Sequence, residues 1–101
     1  MKFLYAKQAA DNSVLINIEK VDSIDTADQD VIVNAQTGAA TSVTITLSVT
    51  DGKESVVAKA LAEMLCSSSS KVIELGDEVE GSYFHSDVTA VEAVTVDIAQ
   101  A

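Results

Sequence analysis

Four aspartates, Asp22, Asp25, Asp28 and Asp30, crowd into residues 22–30 and form the densest acid cluster of the chain. Hard cations such as calcium take several carboxylate oxygens, so such a cluster could in principle hold one. The spacing lacks the D-x-D-x-D-G run and the bidentate glutamate that closes such a loop, and a solvated loop is the better reading. Asp77, Glu78 and Glu80, flanked by Gly76 and Gly81, read the same way, as a solvated hairpin tip. His85 is the sole histidine and Cys66 the sole cysteine, with serines at 67–70 as the available hydroxyls. A hydrolytic triad needs a histidine beside both a nucleophile and an orienting acid, and no nucleophile elbow surrounds these residues. Cys66 falls at the end of a helical pattern, where the dipole disfavours a thiolate, so a small buried hydrophobe is the expected role. One histidine and one cysteine are too few for a typical structural zinc site, and no glycine-rich phosphate cradle is present. No catalytic, cofactor-binding or metal-binding residue is therefore assigned, and no cofactor is expected. Tyr5, Tyr83 and Phe84 could line a ligand pocket, but at strand positions they serve more often as core or cross-strand pairs.

Composition narrows the partners. The formal charge is −10, from sixteen acids against six bases, and every base is a lysine. Without arginine the chain lacks the planar fork that clamps phosphate or reads guanine, and its field repels polyanions; nucleic acid is not an expected partner. A lone cysteine precludes an internal disulfide. The opening residues 1–6 turn polar at Lys7 and Gln8, too early for a signal peptide, and no run nears the roughly eighteen apolar residues of a membrane span. A soluble, unprocessed, single-domain chain is expected over 1–101. Apolar residues make up 48% of it, but only 4% are aromatic, so the core must be built from small branched contacts.

The elements that must position these residues are legible from periodicity. Residues 41–49 read T-S-V-T-I-T-L-S-V, placing Val43, Ile45, Leu47 and Val49 on one side of a strand. Ser42, Thr44, Thr46 and Ser48 fall on the other. Further strands are expected at 3–6, 14–19 and 30–35, the last with Val31, Ile32 and Val33 in succession, the pattern of a strand buried on both faces. Later ones are expected at 71–75, 82–85 and 94–98, with a charged loop at 25–30 and an acidic turn at 76–81. Asp51-Gly52-Lys53-Glu54 resembles a capping box opening a helix over about 53–66, with Val56, Val57, Ala60, Leu61, Met64 and Leu65 as its apolar stripe. The fold expected is α+β: a mainly antiparallel sheet of five to seven strands with that helix packed on its apolar face, seated on the 41–49 strand. A small barrel or sandwich with the helix plugging one end is the alternative.

The profile resembles the small virion-associated structural proteins of tailed bacteriophages, particularly phages of marine bacteria. It rests on the M-K-F-L start, then VLINIEKVDSI, then TSVTITLSV running into DGKESVVAKALAEML, and a closing SDVTAVEAVTVDIA. The likeness lies in texture and element order across most of the chain. It implies a capsid or tail component in the virion, cytoplasmic in the host during assembly. It further implies a homo-oligomer whose partners are itself and other virion proteins, and it carries over no functional residues. The departure is the heavy acidic load without arginine.

Three functions follow in order. First is a non-enzymatic virion structural or accessory protein, with Ser42, Thr44, Thr46 and Ser48 as either a plain solvent face or a water-tolerant subunit contact. The second is an acidic inhibitor or nucleic-acid mimic directed at a basic partner. A small hydrolase or isomerase using His85 ranks last.

Overall fold

The computed structural model describes residues 2–67 and 72–98. It is α+β and mostly antiparallel, with one α-helix and eight strands divided between two sheets. The strands are β1 (Phe3–Ala9), β2 (Asn12–Asn17), β3 (Val21–Ala27), β4 (Asp30–Gly38), β5 (Thr41–Val49), β6 (Val72–Asp77), β7 (Ser82–Tyr83) and β8 (Val88–Ile98). The helix α1 spans Glu54–Ser67, and a single 3₁₀ turn, Ile18–Lys20, follows β2. The first sheet has the order β2-β1-β6-β7 and the second β3-β4-β5-β8. Among the described residues only β1 and β6 run parallel. A parallel pair cannot be closed by a hairpin, and here β2, three strands of the second sheet (β3, β4 and β5) and α1 lie between its two strands in the chain.

The two-residue alternation of pleated strands is clean in β4 and β5. In β5, Val43, Ile45, Leu47 and Val49 are buried while Ser42, Thr44, Thr46 and Ser48 are half-buried on the opposite side. In β4, Val31, Val33 and Ala35 join the core and Ile32 turns outward, so this strand is buried on one face only. Leu4, Ala6, Ile16, Ile73 and Leu75 of the first sheet meet these residues in one continuous core.

Three expectations need correction. The helix lies against β3 and β4 instead of over β5, because the first sheet covers the rest of the inner face. Its buried residues are Val57 and Leu61, with Ala58, Met64 and Leu65 partly buried, whereas Val56 is exposed. The capping box does not close as drawn. Asp51 and Gly52 form an exposed turn in which Lys53 N–H donates to Thr50 O, and Val57 N–H then donates to Lys53 O. Glu54 turns across to the β3–β4 connection, where its Oε2 accepts from Gln29 N–H at 2.8 Å. Ser67 ends the helix by donating back to Glu63 O at 2.6 Å, the hydroxyl competition expected of serine. The serines at 68–70 and Lys71 lie outside the described residues.

Strand ends also move. The stretch 21–27 is a full strand that runs into the charged loop expected at 25–30, and the strand expected at 94–98 begins at Val88. Ile18 and Glu19 leave the strand expected at 14–19 for the 3₁₀ turn.

Candidate functional site

The outward face of the second sheet is built from the hydroxyl side of β5 and its neighbours in register. Ser42 sits between Gln36 and Asp97, Thr44 between Asn34 and Thr95, Thr46 between Ile32 and Ala93, and Ser48 between Asp30 and Ala90. These side chains order one another. Asn34 Nδ2 donates to Asp25 Oδ2 at 2.8 Å and to Ser23 Oγ at 3.3 Å, and Thr44 Oγ1 donates to Asn34 Oδ1 at 3.4 Å. At the other end Ser48 Oγ donates to Glu92 Oε2 at 3.1 Å. The relief is shallow: a depression of about 230 Å³ lies at the edge, lined by Gln36, Ala39, Ala40, Ser42 and Asp97.

The four clustered aspartates do not converge. Asp25 and Asp30 are strand residues, not loop residues, because β3 and β4 extend almost to the turn. Asp25 belongs to the amide–hydroxyl network above. Burial and the neighbouring Glu92 carboxyl, which shares a hydrogen bond with it, hold the Asp30 carboxyl above its ordinary value of 3.8, and Asp28 adds to the repulsion. Asp28 turns the other way, its carboxylate lying within 4.8 Å of those of Asp51 and Glu54. The Gln29 N–H bond holds Glu54 below its ordinary 4.5. Gln29 itself stands at φ 61°, a left-handed conformation uncommon for a residue with a side chain, and is pinned on both sides. Its N–H donates to Glu54 while its carbonyl accepts from Val49 N–H at 2.9 Å.

The second acid group is structural, and only part of it is a solvated tip. Gly76 and Asp77 belong to β6, and Asp77 is buried, its Oδ1 accepting from Val79 N–H at 3.0 Å and Glu80 N–H at 3.1 Å. Glu78 is exposed yet clasps two elements: its Oε1 accepts from Tyr83 Oη and from Val91 N–H, both at 2.8 Å. That bond raises the Tyr83 hydroxyl above its ordinary 10.0. Gly76 makes the close approach possible, since a Cβ there would stand 2.7 Å from Val91 Cγ2 and 2.9 Å from Tyr83 Cδ1.

The remaining candidates are dispersed. His85 takes its partners from its own turn: Nδ1 accepts from Asp87 N–H at 3.1 Å and lies 3.7 Å from Asp87 Oδ2. Cys66 is exposed on the last turn of α1, not buried as expected, because the apolar stripe turns away from it at Leu65. Tyr83 and Phe84 pack against the core, while Tyr5 points out of the first sheet, so the three aromatics line no common pocket.

Tyr5 instead belongs to a face that the sequence did not single out. In register on the outside of the first sheet are Phe3 with Asn17 and Val72, and Tyr5 with Leu15 and Glu74. Leu15 and Val72 are 54% and 52% exposed, which gives this sheet an apolar exterior; Val56, Val79 and Val96 are exposed singly elsewhere. Lys7 continues the row. The signal was the odd-numbered alternation of Phe3, Tyr5 and Lys7, readable only once residues 3–9 are one strand.

No protein-family model, curated protein or solved structure matches this chain. Among the described residues no helix is long and apolar enough to cross a membrane.

Proposed function

We propose that this chain is a non-enzymatic structural or accessory protein of a tailed-bacteriophage virion, a capsid or tail component that works by protein–protein assembly with itself and other virion proteins. The observation that supports assembly is the hydroxyl-bearing outer face of the second sheet. Ser42, Thr44, Thr46 and Ser48 stand there in line, half-buried, with Thr44 hydrogen-bonded to Asn34 and Ser48 to Glu92. Short side chains already fixed by their neighbours lose little conformational freedom on contact, and their hydroxyls tolerate bridging water. The virion setting is carried by the resemblance of sequence texture and element order. Production with the capsid and tail proteins encoded beside its gene, followed by gradient sedimentation, tests the reading. The chain is expected to travel with assembled particles and Thr44→Arg to reduce its incorporation. A chain that never enters particles contradicts it.

A second reading is favoured by one observation. Asp25, Asp30, Glu92 and Asp97 share the second sheet, and β3, β4, β5 and β8 contain no lysine. Carboxylates gathered on one sheet suit a basic partner, as in an inhibitor that mimics nucleic acid. Capture of basic nucleic-acid-binding proteins that collapses as salt is raised would select this reading over the first.

A further inference from the structure

Each sheet has two outer strands, and an outer strand presents unpaired backbone groups unless something blocks it. Among the described residues, three of the four are guarded. In β3, Asp22 and Asp25 would oppose carboxylates on any second copy, and α1 packs alongside. The two-residue β7 is too short to template a partner. In β8, the Val91 N–H is taken by Glu78, Val94 O accepts from Asn12 Nδ2 at 3.3 Å, and Glu92 and Asp97 add charge.

The fourth, β2, has none of these devices. Its six residues, Asn-Ser-Val-Leu-Ile-Asn, contain no charge and no proline. Ladder bonds alternate along an antiparallel strand. Ile18 N–H continues the β1–β2 ladder by donating to Lys2 O at 3.1 Å, so Val14 and Ile16 bond toward β1. Ser13, Leu15 and Asn17 then direct their N–H and C=O groups away from the sheet. Ser13 and Leu15 are exposed, and the Leu15 side chain stands beside Tyr5 on the apolar exterior.

We propose that β2 is the edge through which two copies of this chain associate, pairing antiparallel about a two-fold axis near Leu15. The two first sheets would then form one continuous eight-stranded sheet. The occupant is a second copy because of charge. At −10, this chain repels itself almost everywhere, and β2 is the edge where pairing sets no strand carboxylate against another. The two-fold also lays the Asp11 end of one copy beside the neutral Glu19–Lys20 end of the other. A shared axis brings the two Leu15 side chains together on one face, the self-complementarity that an isologous contact requires. Main-chain bonds would supply the affinity and the Phe3–Tyr5–Leu15 row the apolar contact.

The inference deepens the assembly reading and rests on it. Its test is the mass of the full chain by light scattering as concentration rises, for the wild type, Ser13→Pro and Leu15→Lys. Proline at Ser13 deletes an outward donor only, and lysine at Leu15 replaces an exposed side chain, so either variant can report if the other fails to fold. Circular dichroism confirms the fold. The wild type is expected to approach twice the 10.6 kDa chain mass and folded variants to return to a single chain mass. A dimer that survives both substitutions overturns the β2 assignment while leaving assembly intact. A wild type that stays monomeric overturns pairing between copies and assigns the edge to a strand of another protein, with particle sedimentation still judging the assembly reading.

Discussion

Tyr5 and Thr44 hold equivalent places, each on an inner strand and each facing out of its sheet, but their neighbours differ completely. Around Tyr5 stand Leu15, Phe3 and Val72, with Lys7 and Glu74 as the nearby charges. Around Thr44 stand Asn34, Thr95 and Ser42, with Asp25 hydrogen-bonded through Asn34. The inward halves of both sheets are alike, a core of Val, Ile, Leu and Ala. One alternation thus supports two exteriors, an apolar one beside a bare strand edge and a hydroxyl–carboxylate one whose edges are guarded. The comparison teaches that burial decides the fold and the outward half is free to specialise.

The largest expected effect tests the alternation itself. Ile45→Asp puts a carboxylate in the core and is expected to cost on the order of 4 kcal/mol or more, enough to abolish a cooperative melt. Thr46→Lys, one residue away, is expected to melt near the wild type. A folded Ile45→Asp protein would break the assignment of faces.

Next comes the seam where the first sheet meets β8. Gly76→Ala forces a methyl against Val91 and Tyr83 and is expected to cost roughly 1–3 kcal/mol in chemical denaturation. Removing the clasp by Glu78→Ala leaves the Val91 N–H and the Tyr83 hydroxyl without their partner, at a cost of about 1–2 kcal/mol.

The smallest effects are electrostatic and of opposite sign at two carboxyls beside the β3–β4 turn, Asp30 at the start of β4 and Glu54 of α1. Asp30 binds its proton more tightly in the folded state. Its contribution therefore favours folding below the ordinary value of 3.8 and is lost as pH rises through its raised folded value. Asp30→Asn is expected to raise the melting temperature at neutral pH, the gain fading in acid. Glu54 has the lowered value, so its contribution is present above 4.5 and lost as pH falls through the folded value. Glu54→Gln is expected to lower the neutral melting temperature slightly and to leave the acid one unchanged. Equal shifts in both variants would contradict the pairing of Asp30 with Glu92.

The α+β class, β5 and α1 were legible because their periods are clean. What was hidden lies at irregular pairings. In β8, register shifts opposite Thr46–Leu47 and Ser48–Val49 turn Val88, Val91 and Val94 all inward, a spacing of three that does not read as a strand. Those shifts also place Glu92 on the outside beside Ser48 and Asp30, so no sequence pattern announces that group. A bulge between Tyr5 and Ala6 buries Leu75, Gly76 and Asp77 in succession, which made the Asp77 region look like a solvated tip. The strand β3 was obscured by its own shift between Val21 and Ser23. The apolar exterior of the first sheet is a property of three strands distant in sequence and required their register.

Residue-resolved amide hydrogen exchange of the wild-type chain over a range of concentrations tests the central contrast between the bare and guarded edges most directly. Protection at Ser13 and Leu15 is expected to rise with concentration while the β3 and β8 amides stay unchanged. Concentration-independent exchange at Ser13 and Leu15, or protection gained along β3 or β8 instead, would contradict it.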